Sequence, residues 1–230
     1  MTIYRSALIN RREGLDDAQF REHWIRVHGA LAARLPGLGT YRQNHIAERL
    51  LEDRGVPVQS IDGVSQLSFD SVAAMMSSDA SPEYAACKAD IPLFQGGITI
   101  LVLQPELLFG SETLARGQHG AKLAWLSTRR AGVPAEGLHA RWRRESAQAG
   151  AAVPGARRHV HNFVVDRGHP VQAGVPSGSA DAVESFSELW FDDVESLRAG
   201  LASPAGQRLV HGDPLLAPFA VYRIEEVHIV

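Results

Sequence analysis

Apolar and polar positions change period several times along the first hundred residues. Residues 3–9 (IYRSALI) form a largely apolar run of strand length. Asp16 then offers an N-cap. Phe20, Trp24, Val27, Leu31 and Leu35 follow at steps of four, three, four and four, which is one face of a helix. Pro36–Gly37 ends that helix. Residues 40–46 (TYRQNHI) and 64–69 (VSQLSF) read as strands. Asp70 is placed to cap a second helix. Ser81–Pro82 restarts helix after a break, with proline at a tolerated first-turn position. Residues 97–103 (GITILVL) are strongly β-branched and close the unit, giving the order β-α-β-β-α-β.

The same pattern then returns. At an offset of 118, Leu8 falls on Leu126, Arg11–Arg12 on Arg129–Arg130 and Trp24 on Trp142. Pro36–Gly37 falls on Pro154–Gly155 and Asn44 on Asn162. Beyond that the offset is 122, so that Leu67 meets Leu189, Phe69–Asp70 meets Phe191–Asp192 and Val72 meets Val194. Ser81–Pro82 meets Ser203–Pro204, and Pro92–Leu93 meets Pro214–Leu215. The change of four is one insertion in the Gly/Pro-rich stretch 166–181, as suits a surface loop. Matches at Trp, Pro, Gly and Asn in one order with one gap indicate an internal repeat. The expected division is a first module over 1–109, a linker over 110–119 and a second, diverged module over 120–230. In the second, LAWLST, 134–149, ARRHVHNFVV, FSELWF, 194–210 and PFAVYRIEEVHIV take the strand and helix roles in turn.

The fold class is therefore α+β. Each β-α-β-β-α-β unit is the ferredoxin-like arrangement, an antiparallel sheet with both helices on one face. Its other face must be buried, and a second copy is the obvious cover. The chain should thus fold as a single-chain version of a dimeric α/β barrel, needing no second copy of itself to complete it. A further homodimer through the outer surface stays open.

Composition narrows the partners. A formal charge of −3 and a pI near 6.4 give no reason to expect nucleic acid. Cys87 is the only cysteine, so no intrachain disulfide forms, which suits a reducing cytosol. The N-terminus has no apolar h-region and no window approaches a membrane span, so a cytoplasmic location is expected.

The segment 11–45 (RREGLDDAQFREHWIRVHGALAARLPGLGTYRQNH) resembles the EthD family of dimeric α/β-barrel proteins. The specific features are Trp24 and His28 four apart on a helix, then Gly29, then LPGL (35–38) leading to Tyr41 and QNH (43–45). FDS (69–71) and Ser81–Pro82 suit the same pattern. The second copy departs where His28 is matched by Ser146, Gly29 by Ala147 and Tyr41 by His159. The resemblance implies small cofactor-free enzymes acting on polyketide or lactone substrates, such as cyclases, dehydratases and 4-methylmuconolactone methylisomerase. It equally covers members that accompany degradation pathways without a settled activity.

The residues themselves leave two readings open. His28 borders the apolar stripe one turn after Trp24, and Gly29 beside it would let a ligand approach closely. Otherwise His28 is a boundary histidine and Gly29 a packing contact. Tyr41, Gln43 and His45 point one way from their strand and Arg42 and Asn44 the other, lining either a cavity or a solvated edge. Asn44 and Asn162 are equivalent, which favours a shared structural role such as tying a backbone. His159 and His161 share a strand face, but no third metal ligand stands at a diagnostic spacing; His211 and Asp213 are the nearest candidates. Cys87 reads as a semi-buried structural thiol, and GLGT (37–40) is no phosphate loop.

The leading expectation is a cofactor-independent lyase or isomerase, free of metal, acting on a carbonyl-bearing small molecule. His28 is the general acid/base, with Trp24, Tyr41, Asn44 and His45 as substrate-binding residues. The alternative is a non-catalytic small-molecule-binding or accessory protein. A third, weaker reading is a haem-linked or oxygen-using activity. Any active site should be single and belong to the first copy.

Overall fold

A computed structural model describes residues 1–53, 55–56, 60–111 and 120–230. The expected linker lies outside these residues except for Gly110 and Ser111. The first module contains β1 (Ile3–Arg11), β2 (Tyr41–Glu52), β3 (Gly63–Phe69) and β4 (Gln95–Phe109). Its helices are α1 (Asp17–His23), a π-helical turn (Trp24–His28), α2 (Gly29–Ala32), α3 (Val72–Asp79) and α4 (Pro82–Phe94). The second contains β5 (Ala121–Arg129), β6 (Ala156–Asp166), β7 (Ser185–Phe191) and β8 (Leu216–His228). Around these lie α5 (Leu138–Glu145), a 3-10 turn (Ala149–Ala152), α6 (Val194–Ala202) and α7 (Pro204–His211).

The strand order is β4-β1-β3-β2 in the first module and β8-β5-β7-β6 in the second. Both are ferredoxin-like, as the repeat predicts. β2 pairs antiparallel with β8, and β4 with β6, so the two sheets close into one eight-stranded barrel within a single chain. Closure leaves no sheet edge unpaired. Strand ends cross between modules. Phe109 at the end of β4 packs into the second module's sheet–helix core. Residues 229–230 return to the first module, where Ile229 N–H donates to Tyr41 O at 2.9 Å and Tyr41 N–H donates to Val230 O at 3.1 Å.

Strand alternation sorts side chains into two environments. The outer face of each sheet packs under its helices; Ile3, Ile9, Phe20, Trp24, Tyr41, Phe69 and Phe94 belong to one core. The inner face lines the lumen, where Leu8, Val64, Leu101, Leu126, Phe186 and Ile224 pack together. The lumen also holds charge. The Lys122 ammonium lies between the carboxylates of Glu188 and Glu226, bonds Asn44 Oδ1 at 2.6 Å and sits over the Trp190 ring at 4.6 Å. Burial raises the Glu188 pKa, but Lys122 and Arg42 outweigh it and hold the carboxyl below its ordinary value.

Asn44 and Asn162 do equivalent work here. Asn44 Nδ2 donates to Val64 O and to Gln66 Oε1, both at 2.9 Å. Asn162 Nδ2 donates to Phe186 O at 2.8 Å and to Glu188 Oε2 at 2.7 Å. The pair ties each second strand to the third strand of its own module, which is the shared structural role the repeat suggests.

Three local expectations change. The N-cap of α3 is Ser71, whose side chain accepts from Ala74 N–H, not Asp70. Val27 does not face the core; it is 44% exposed, because the π-helical turn inserts a residue and rotates it outward. The helix expected over 134–149 is shorter, since Gly137 stands at φ +69° and α5 begins only at Leu138.

Lys122→Met is expected to destabilise the fold by about 3–5 kcal/mol, because it leaves two buried carboxylates without their cation. Urea unfolding at neutral pH measures this; a loss below about 1 kcal/mol would mean that Arg42 alone holds the cluster.

Candidate active site

The π-helical turn decides which side chains meet. Gly29 N–H donates to Trp24 O, an i to i+5 bond. Histidines five apart would diverge on a regular α-helix, but here His23 and His28 reach the same carboxylate. His23 Nε2 lies 2.8 Å from Asp90 Oδ1, and His28 Nδ1 lies 2.9 Å from Asp90 Oδ2. Phe94 packs against both rings, with centroids 4.9 and 5.0 Å away. Asp90 comes from α4, so the cluster joins the module's two helical layers. Burial raises the Asp90 pKa; hydrogen bonds from His28 and His23 outweigh it and hold the carboxyl below its usual range. A carboxylate on Nδ1 orients the ring and favours the tautomer with its hydrogen there.

His28 lines a cavity of about 30 Å³ between sheet and helices, with Arg5, Trp24, Tyr41, Tyr84 and Cys87 among the other walls. Tyr41 Oη accepts from Trp24 Nε1 and from Gln43 Nε2, both at 3.0 Å, so its own proton remains to be donated. Burial pushes its pKa up, which keeps it a donor. The Arg5 guanidinium donates to Tyr84 Oη and pairs with Asp79 at 3.3 Å. Burial pushes the Cys87 thiol up to about 11, so it is not a thiolate near neutrality.

Of the five residues singled out from sequence, His28, Trp24 and Tyr41 line this cavity together. Asn44 does not; it lies on the other face of β2, in the lumen, because strand side chains alternate. His45 shares the outer face but packs on Trp24, with centroids 4.4 Å apart, and lines a separate outer groove. Burial, with help from Arg21, pushes its pKa down to about 3, so it is neutral near pH 7. Gly29 makes the packing contact rather than a ligand approach: a Cβ there would stand 3.2 Å from Ile229 Cδ1 and 3.3 Å from Gln43 Nε2.

Sequence reasoning missed Asp90, His23, Arg5 and Tyr84. One signal was present. At the repeat offsets His28 becomes Ser146, Asp90 becomes Gly212, His23 becomes Arg141, Tyr84 becomes Gly206 and Arg5 becomes Leu123. The whole set is replaced while Trp24 persists as Trp142.

The model of the EthD domain matches residues 12–96. The match spans most of the first module, which is EthD-like. That match contains α1, the π-helical turn and Asp90. Among curated proteins none matches the sequence. Solved structures resemble the whole barrel at low identity. An anthrone oxidase-like protein is 14% identical, with a TM-score of 0.63, covering 99% of this chain and 93% of its own. A protein called a monooxygenase, from Lactobacillus acidophilus NCFM, is 11% identical with a TM-score of 0.55, covering 100% and 94%. An EthD family protein from Bacillus halodurans C-125 is 20% identical with a TM-score of 0.35, covering 49% of this chain and 100% of its own. At these identities the whole-chain likenesses establish the fold.

In the second module His159 and His161 are buried, and among the described residues no three metal-ligating side chains cluster. Burial pushes His159 down to about 4 and His161 well below its ordinary value. With His45 these rings are neutral when folded but charge when unfolded below about pH 6.5. The unfolded chain then binds more protons, so stability is full above that pH and is lost as pH falls toward 4. Each ring contributes at most about 1.4 kcal/mol per pH unit in that window. His159→Leu should flatten the fall measured by urea unfolding between pH 7 and 5. An unchanged slope would show that His159 is not neutral in the folded protein.

Proposed function

We propose that the EthD-like first module is a cofactor-independent acid/base catalyst, a lyase or isomerase acting on a carbonyl-bearing small molecule. The observation that carries the reading is the Asp90 carboxylate bridging His23 and His28, which orients a ring that lines a cavity. His28 Nε2 would take a proton from the carbon beside the carbonyl and return it elsewhere on the substrate or to a leaving group. Negative charge would gather on the carbonyl oxygen. The Tyr41 hydroxyl, with the Arg5 and Tyr84 pair behind it, supplies donors for that oxygen. Trp24 forms an apolar wall.

The cavity holds only a water or two at about 30 Å³, so a substrate presents a narrow end to His28. This narrowness also favours the competing reading, an accessory protein that binds without turnover.

Incubation in D₂O with a panel of cyclic ketones and lactones tests the reading, with exchange beside the carbonyl followed by NMR. Wild type should exchange at least one member. His28→Ala should lower the rate by about 10²-fold or more, with the thermal midpoint nearly unchanged. Asp90→Asn should lower kcat with little change in KM, and Ser146→Ala should leave turnover as it is. If His28→Ala unfolds the protein while activity per folded molecule persists, His28 is a packing residue and the assignment fails.

A further inference from the structure

The second module keeps a sheet–helix cavity and gives it different chemistry. Its volume is about 190 Å³, against about 30 Å³ beside His28. Trp125, Trp142, Pro214, Leu216 and Pro218 supply apolar wall. Two residues of the wall each carry a buried polar atom with no hydrogen-bond partner: His161 Nε2 and Ser146 Oγ. These residues are 1% and 6% exposed. Buried polar groups in folded proteins are nearly always paired, so two unpaired in one cavity point to something that pairs them.

The imidazole is held firmly. His161 Nδ1 lies 2.7 Å from Ser187 Oγ. Trp142 stacks on the ring at 3.7 Å, and its indole N–H donates to Asp213 Oδ2 at 2.7 Å. The contrast with the first module is informative. The residue equivalent to His161 is Gln43, whose amide bonds Trp24 O, Tyr41 Oη and His45 Nε2. The first module satisfies this position from within; the second leaves a ring nitrogen of a cavity-lining residue without a partner.

We propose that this cavity is a binding site for a neutral, single-ring hydroxyarene, whose hydroxyl bonds His161 Nε2 and Ser146 Oγ and whose ring lies against Trp125 and the prolines. Size sets the ring count: an apolar cavity of about 150 Å³ accepts benzene, so this one takes a ring with a small substituent. A hydroxyl both donates and accepts, so one oxygen can serve both unpaired atoms. The imidazole is neutral, since burial depresses its pKa, and offers no cation to an anionic ligand. Glu145 and Asp213 outnumber Arg208 in the wall, which further disfavours an anion. With Ser146 and Gly212 where the first module has His28 and Asp90, the site binds without acid/base catalysis.

Phenol is the probe, titrated into the full-length protein while the indole N–H resonances of its four tryptophans are followed by NMR. Trp125 and Trp142 should shift saturably and Trp24 should not. Benzene, of the same shape without the hydroxyl, should bind about tenfold more weakly, as expected for lost hydrogen bonding in a buried site. His161→Phe should weaken phenol to the level of benzene, and Ser146→Ala should weaken it severalfold even if His161→Phe fails to fold. Equal affinity for benzene and phenol, phenol shifts confined to Trp24, no saturable shift at all, or wild-type phenol affinity in Ser146→Ala would each overturn the assignment.

Discussion

A single ammonium group sits where the two modules meet. The bare face of a ferredoxin-like sheet is normally covered by apolar packing, and the lumen of this barrel supplies much of that. Lys122 adds a directional constraint. Lys122 and its carboxylate partners on β7 and β8 belong to the second module, and Asn44 and Arg42 on β2 and Gln66 on β3 reach them across the lumen, so the cluster is complete only when both modules adopt one relative position. Apolar side chains tolerate small slips between sheets, whereas hydrogen bonds and ion pairs into a buried charge cluster do not. The outer faces, and with them the two helix-covered cavities, take their places from that arrangement.

The cavities have diverged in opposite directions on one scaffold. Each retains the tryptophan that packs a helix onto the sheet, Trp24 and Trp142, because removing it would leave a large void. In the first, a narrow space is lined by His28 from the helices and by Arg5 and Tyr41 from the strands, and Asp90 joins His28 to His23. In the second, the space is wider, and the buried groups without partners, His161 and Ser146, are neutral. A tandem arrangement permits such division, since a substitution in one half has no obligatory twin in the other. The first module keeps the histidine–aspartate cluster, and the diverged copy has lost it.

The fold was legible in the sequence because its signals are local or repeated. The spacing of Phe20, Trp24 and Leu35, the Pro–Gly stops, and the match of Asn44 with Asn162 each report a backbone need that recurs. The candidate site was only half legible. His28 stood out through its neighbours, but its partner Asp90 lies on another helix, and no short pattern connects them. The π-helical turn was invisible, since residues 24–28 carry an ordinary helical pattern, and the clue is the outward-facing Val27. Asn44 was drawn into the site because a polar residue on a buried strand suggests ligand chemistry. The sheet has two buried faces, and Asn44 serves the inner one.

The seam between β2 and β8 joins the early part of the chain to its end. During synthesis β2 emerges with one edge unpaired and stays so until the last strand leaves the ribosome. An exposed edge is a template for pairing with other chains, and pairings between distant segments form slowly. The other seam, β4 with β6, can close long before. Tyr41 makes backbone bonds to residues 229 and 230, and Ile229 packs beside Gly29 at the root of the histidine-bearing turn. The half that carries the histidine–aspartate cluster is therefore the first to be made and the last to be completed.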